Sequence, residues 1–276
     1  MDAWALPLSG QSGTVGAAFF DLDKTILATS SSVALRSPLV HAGLMTRRGA
    51  ALAVLIHLPY LLRGTDRAGL ERLQHALGSL AKGWDACLLE STVRDALRTA
   101  IDPVCFLEAL DQITLHRAAG QPVVIASASI KEVVRPIGDM LGADHCIGSD
   151  AEKDEDGAFT GELLTFNYAE EKARACEKLA ERRGWDMSRS YAYSDSVTDI
   201  PLLEAVGHPV AVNPDKGLRE VAEERGWQIL SFSHTARVRS TAEKVAFPIA
   251  VGALGLTLAA VGTWALFRIH TRKKPH

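Results

Sequence analysis

No pair of cysteines in this 276-residue chain has the spacing of a redox or zinc motif. The four, Cys87, Cys105, Cys146 and Cys176, are scattered. That excludes a disulfide framework and favours reduced thiols in a cytosolic compartment. There is no basic excess either: the formal net charge is −3, so no nucleic-acid partner is expected. The N-terminal stretch MDAWALPLSGQSG has no basic residue ahead of an apolar core and does not read as a secretory signal. Residues 1–13 are expected to be a disordered lead. No internal repeat is apparent. What the chain does have is apolar material, 47% of its residues, enough for one large domain or a domain with an insertion.

One stretch lacks charge altogether. From Val245 to Phe267 the sequence runs VAFPIAVGALGLTLAAVGTWALF, longer than the roughly 20 apolar residues that span a bilayer core. Arg237, Arg239 and Lys244 precede it, and Arg268, Arg272, Lys273 and Lys274 follow. The reading is a linker over 236–244, a transmembrane helix over 245–268 and a basic tail over 269–276. Basic residues tend to stay cytoplasmic, and with no export signal the catalytic body is expected in the cytoplasm, tethered to the cell membrane by a single pass.

Six short apolar runs read as buried strands: Val15–Phe20, Pro122–Ser127, His145–Ser149, Tyr191–Tyr193, Pro209–Asn213 and Trp227–Phe232. Helical patterns lie between them over Val104–Ala119, Ala169–Arg183, Thr198–Val206 and Gly217–Arg225. The alternation predicts an α/β fold, a doubly wound, mostly parallel, Rossmann-like sheet. Two segments interrupt it. Residues 28–102 hold no strand candidate and read as an inserted helical cap, dividing the core into 14–27 and 103–235. Within the cap, Ala50–Leu62 is too short to span a bilayer; the core of the cap is the default reading and contact with a lipid surface the alternative. The stretch SDAEKDEDGAFTGELLTF reads as a β-hairpin around Asp156-Gly157, its acidic run a solvated turn rather than a metal site.

Ligands of open α/β sheets bind at the carboxyl ends of the strands. Asp21, Asp23 and Thr25 follow the first strand. Ser127 and Ser129 follow the second. Ser194, Asp195, Ser196 and Asp199 follow the fourth, and Lys172 opens the helix after the hairpin. Four carboxylates on one edge repel unless a hard cation joins them, and oxygen ligands with room for water and phosphate describe Mg²⁺. A carboxylate can attack phosphorus if metal, hydroxyl and ammonium groups neutralise the phosphoryl oxygens. A second carboxylate two residues on is placed for acid and base duty. His57, His116, His145 and His208 show no ligand spacing and read as structural; Asp215 reads as a turn residue that could brace the site.

These residues resemble the haloacid dehalogenase superfamily over roughly 14–235, and within it the phosphoserine-phosphatase-like branch (subfamily IB) with a helical cap after the first motif. The carriers are DLDKT at Asp21–Thr25, VVIAS ending at Ser127, Lys172 in AEEKARA, and Asp195 and Asp199 in SDSVTD. The resemblance implies a phosphoric monoester hydrolase working through an aspartyl-phosphate. Asp21 would be nucleophile and metal ligand, Asp23 the acid and base with its carbonyl on Mg²⁺, and Asp195 the third ligand. Ser127 and Lys172 would hold the phosphoryl group, with Thr25, Ser129 and Asp199 in support. Three departures stand out: small polar residues, ATSSS, replace a glutamate usual after the first motif, Ala128-Ser129 replaces Gly-Gly, and Thr198 replaces an asparagine. They direct the expectation away from phosphoserine. A small phosphorylated substrate is expected, with a lipid phosphate or transfer to an acceptor other than water as alternatives.

Overall fold

Alternate side chains of the first strand go to opposite faces, and both faces are dry. The computed structural model describes residues 15–46 and 78–235, and its strand β1 spans Ala18–Phe20. Ala18 and Phe20 join one core with Leu22, Ile26, Val123 and Ile125. Ala17 and Phe19 join another with Val124, Ala126, Leu202 and Leu218. Burial on both sides is why this strand reads as a continuous apolar run instead of an alternation.

Six more strands complete the sheet: β2 (Val123–Ile130), β3 (His145–Lys153), β4 (Phe159–Thr165), β5 (Tyr191–Ser194), β6 (His208–Val212) and β7 (Gln228–Leu230). Their order is β4-β3-β2-β1-β5-β6-β7. Every pairing is parallel except the β3–β4 hairpin. The chain leaves β1 toward β2 on one side and returns on the other as β5. The order therefore reverses at β1, and a crevice opens at its carboxyl end.

The described helices are α1 (Ser31–Ala34), α2 (Arg36–His41), α3 (Ala86–Ala96), α4 (Leu107–Ala118), α5 (Lys131–Leu141), α6 (Glu170–Arg183), α7 (Ile200–Ala205) and α8 (Lys216–Arg225). Helix α6 begins with Glu170 and Glu171, ends with Arg182 and Arg183, and stops at Gly184 in the left-handed conformation, φ 69°. The charges follow the helix dipole, and glycine takes the left-handed cap without steric cost.

The excursion between β1 and α4 starts and ends at one place. Leu27 and Cys105 form an antiparallel bridge, and the Phe106 amide donates to Ile26 O at 2.8 Å. Helices α1, α2 and α3 belong to this excursion, and α3 abuts the hairpin: Phe159 N donates to Trp84 O at 2.9 Å and Gly83 N to Phe159 O at 2.8 Å. Residues 231–235 run from β7 to the same junction, where Thr235 bridges Phe106 and Glu108 accepts from Ser233 N and His234 N, each at 3.0 Å. The stretch Ala50–Leu62 and the lead over 1–13 lie outside the described residues.

The membrane expectation is corrected. No helix among the described residues is long and apolar enough to cross a membrane. The longest described α-helix, α6, has 14 residues, about 21 Å at ~1.5 Å per residue, against a hydrocarbon core of about 30 Å, and it is charged along its length. The C-terminal transmembrane helix over 245–268, the membrane as a partner through it, and the single-pass cell-membrane location with a cytoplasmic body are therefore withdrawn. Residues 236–276, with the linker and the tail, lie outside the described residues.

A helix absent from the sequence reading is α5. Val134 and Ile137 are fully buried on one of its faces, with Val133, Met140 and Leu141 packed beside them. Pro136 lies in its interior and hides the pattern, because proline normally ends a helix.

His116, on α4, is fully buried. Its Nδ1 faces Gln121 Oε1 at 2.6 Å and its Nε2 faces Tyr193 Oη at 2.7 Å. A neutral ring satisfies both bonds, Nδ1–H donating to Gln121 and Nε2 accepting from the phenol. Burial holds the imidazole below its usual 6.5. The unfolded chain thus takes up this proton at a higher pH than the folded one. The contribution is fully present above about pH 6.5 and is lost as pH falls through that value toward the lower folded pKa. Urea melts between pH 5 and 7.5 should show stability dropping on the acid side, with a shallower drop in His116→Gln.

Candidate active site

Register brings the motif residues to one edge. Phe20 pairs with Ile125 on β2 and with Tyr193 on β5, so Asp21, Ser127 and Asp195 all emerge within two residues of the last common rung. The Asp21 amide still donates to Tyr193 O at 2.9 Å. The chain then turns sharply, with Lys24 at φ 61°. Thr25, fully buried on that turn, has a hydroxyl with no hydrogen-bond partner among the described residues.

Lys172 comes in from the first turn of α6. Its Nζ donates to Asp21 Oδ1 at 2.6 Å and to Asp199 Oδ2 at 2.7 Å. Asp199 also accepts from Ser194 Oγ at 2.6 Å. The three charged groups are almost wholly enclosed, with 8%, 2% and 4% exposure for Asp21, Lys172 and Asp199. Burying such charges is tolerable only when they are paired and hydrogen-bonded. Burial works against the Lys172 ammonium, but the charges of Asp199 and Asp21 outweigh it and hold it above its usual range.

Lys172, with the charge of Lys24 also acting on Asp195, does not offset burial and the mutual repulsion of the acids here. Burial pushes the Asp21 carboxyl up to about 7; Lys172 opposes this, while Asp199 and Asp23 add to it. Asp195 is pushed up to about 8, first by burial and then by the charge of Asp21. Without a cation these carboxyls therefore resist full ionisation near neutral pH, and a cation joining this all-oxygen donor set would favour their charged forms. No group of three His, Cys, Asp or Glu side chains among the described residues forms a ready-made cage. Mg²⁺ does not need one, since it is held by one or two carboxylates with waters and substrate phosphate. The residues fit that ion.

Asp23 is turned toward the excursion, where its Oδ1 accepts from the Ser31 amide at 2.7 Å. The Ser31 hydroxyl lies 3.1 Å from Ser129 Oγ, so α1 touches both Asp23 and the carboxyl-terminal end of β2. Ser127 Oγ accepts from the Ser129 amide at 3.1 Å, within the part of β2 where its register with β3 shifts, between Ala126 and Ile130.

Three further residues shape the site; of these only Ser194 was placed at a strand end by the sequence. Ser194 holds Asp199. Ser31 holds Asp23. Asn167, 4% exposed, donates from Nδ2 to Ser127 O at 2.8 Å, while its main-chain amide donates to Ser149 Oγ at 3.0 Å. The only sequence signal for Asn167 is a polar residue set between the apolar hairpin and the Lys172 helix.

Comparison with known proteins accords with this geometry. The family model for haloacid dehalogenase-like hydrolases matches residues 18–204. A probable phosphatase of Mycobacterium tuberculosis is 42% identical over 257 residues, spanning 91% of this chain and 89% of that protein. A phosphoserine phosphatase of the same organism is 32% identical over 251 residues, spanning 90% and 80%. A solved protein of unknown function from Bordetella pertussis Tohama I has a TM-score of 0.69 at 31% identity, covering 79% of this chain and 99% of its own. The chain belongs to the haloacid dehalogenase-like hydrolases and, within them, to the phosphatases of the phosphoserine-phosphatase-like branch.

Proposed function

We propose that this phosphatase hydrolyses a phosphomonoester through a phosphoryl group carried on Asp21, with Mg²⁺ at the carboxylate cluster. The observation that carries the reading is the enclosed Asp21–Lys172–Asp199 triad at the strand switch point. A buried carboxylate beside a fixed ammonium is a nucleophile with a phosphoryl-oxygen partner already in place.

In the first half-reaction an Asp21 oxygen forms a bond to phosphorus while the bond to the leaving oxygen breaks. Asp23, as a carboxylic acid, gives its proton to that oxygen, and the Ser31 amide orients the carboxyl. In the second, the Asp23 carboxylate takes a proton from water, whose oxygen attacks phosphorus. The bond to Asp21 breaks and inorganic phosphate leaves. Ser127 and Lys172 hold the phosphoryl oxygens throughout. Asp21, Asp195 and the Asp23 carbonyl would hold Mg²⁺, which when bound supplies positive charge to the phosphoryl oxygens.

The test is hydrolysis of p-nitrophenyl phosphate by the full chain. EDTA should lower the rate by roughly two to three powers of ten, since the ion supplies several kcal/mol, and added Mg²⁺ should restore it. Undiminished turnover in EDTA would remove the cation from the mechanism. Running phosphoserine, a sugar phosphate and lysophosphatidate in parallel ranks leaving groups. A competing alcohol shows whether water is the only acceptor.

A further inference from the structure

The loop that carries Asp195 and Asp199 is held from outside the site by a residue that takes no part in the chemistry above. Asp215 lies between β6 and α8. Its main-chain amide donates to Asp195 O at 2.8 Å. Its carboxylate accepts from two amides on different elements, Leu218 N at Oδ1 (2.8 Å) and Val197 N at Oδ2 (2.9 Å). The bond to Leu218 is an ordinary helix N-cap. The bond to Val197 is not required by α8. It fastens the start of the short turn Val197–Asp199, whose last residue receives Lys172.

Two neighbours make this joint stiff. A Cβ at Gly217 would lie only 3.0 Å from Val197 Cγ2, so glycine there lets the first turn of α8 press against the loop. Asn213, at φ 44°, clasps the main chain of Phe232 from both sides, donating from Nδ2 to its O and accepting from its N at Oδ1, each at 2.9 Å. The chain entering Asp215 is thereby pinned as well. Asp195, in contrast, stands just past the last β5–β6 rung, Ser194 with Ala211. The sheet ladder no longer fixes it.

We infer that Asp215 is a positioning residue: it sets where the Asp195 carboxylate stands in the cation site, acting through the main chain of Asp195 and Val197 and never touching substrate. The inference rests on the Mg²⁺ reading above. Mg²⁺ demands near-octahedral oxygen placement, and a site of this kind tolerates about 0.5 Å of error. A slack 195–197 loop therefore costs cation affinity before it costs the fold.

Asp215→Asn separates the two tasks. Asparagine caps helices as well as aspartate does, but it has one acceptor oxygen for two amides, and its NH₂ opposes the amide that loses its partner. Asp215→Ser also caps α8 and is too short to reach Val197. In both variants the melting temperature without Mg²⁺ should stay within a few degrees of the parent. The Mg²⁺ concentration that half-saturates the thermal shift, and that which half-saturates turnover, should rise about 10-fold or more, with turnover recovering at high Mg²⁺. An unchanged Mg²⁺ half-saturation beside a clear shift in the parent overturns the inference alone. So does lost activity that merely follows a lower melting temperature. A parent with no Mg²⁺-dependent shift overturns the cation reading and this inference with it.

Discussion

Asp21→Asn is expected to abolish turnover and leave a folded protein. The amide matches the carboxylate in size, and its Oδ1 can still accept from Lys172, which keeps Asp199 as its anionic partner. Folding should not suffer, because the exchange removes one negative charge from a cluster in which Asp21 raises the pKa of Asp195. Chemistry should suffer completely, because an amide does not form the acyl-phosphate. Losses of about 10⁴-fold or more are usual for a nucleophile whose partners act with it as a unit. The decisive readouts are steady-state hydrolysis and acid-quenched labelling with a ³²P-phosphomonoester. Parent protein should retain label and the variant none. A variant that turns over at the parent's rate would falsify the covalent route.

Lys172→Met should damage both fold and activity. The ammonium is the contact that Asp21 and Asp199 share, and its side chain is only 3% exposed. Methionine fills much of the same volume but leaves two enclosed carboxylates without their counter-ion. Breaking a buried pair in this way costs about 3–5 kcal/mol, or about 6–20 °C in melting temperature for a domain of this size. The pH dependence has a definite sign. Without the lysine the Asp21 carboxyl is raised further, so the folded state is penalised most where it is ionised and least where it is protonated. The gap between variant and parent should narrow as pH falls through about 7, the value near which Asp21 already stands. Hydrolysis should be lost at every pH, since a phosphoryl ligand is gone. A variant with the parent's melting temperature at pH 8 would show that the triad is not needed for stability.

Strand β1 was legible because burial on both faces leaves an unbroken apolar run, whereas β2 and β3 run on past Ser127 to Ile130 and past Ser149 to Lys153. Asp21, Lys172 and Asp199 could still be expected on one edge, where Lys172 indeed contacts the other two. What was not legible depends on distant partners. Ser31 meets Asp23 across the turn that leads from β1 into α1, and Asn167 finds Ser127 O from 40 residues away. Nothing in a single polar loop residue announces such a bond. Helix α5 was missed for a local reason, since Pro136 masks an otherwise regular apolar face. The spanning helix over 245–268 was read from hydropathy and flanking charge alone, and no described helix has the length and apolarity to stand for it.

The sequence distances within the triad also constrain the order of events during synthesis. Lys172 follows Asp21 by 151 residues and precedes Asp199 by 27. Until that ammonium arrives, an enclosed Asp21 would be held neutral, because a lone buried carboxyl takes up a proton instead of remaining charged. The centre of the sheet is in any case completed late, because β1 takes β5 (Tyr191–Ser194) as a neighbour. A nascent chain stopped before residue 172 lacks β5, β6 and β7 and leaves one side of β1 without its neighbour.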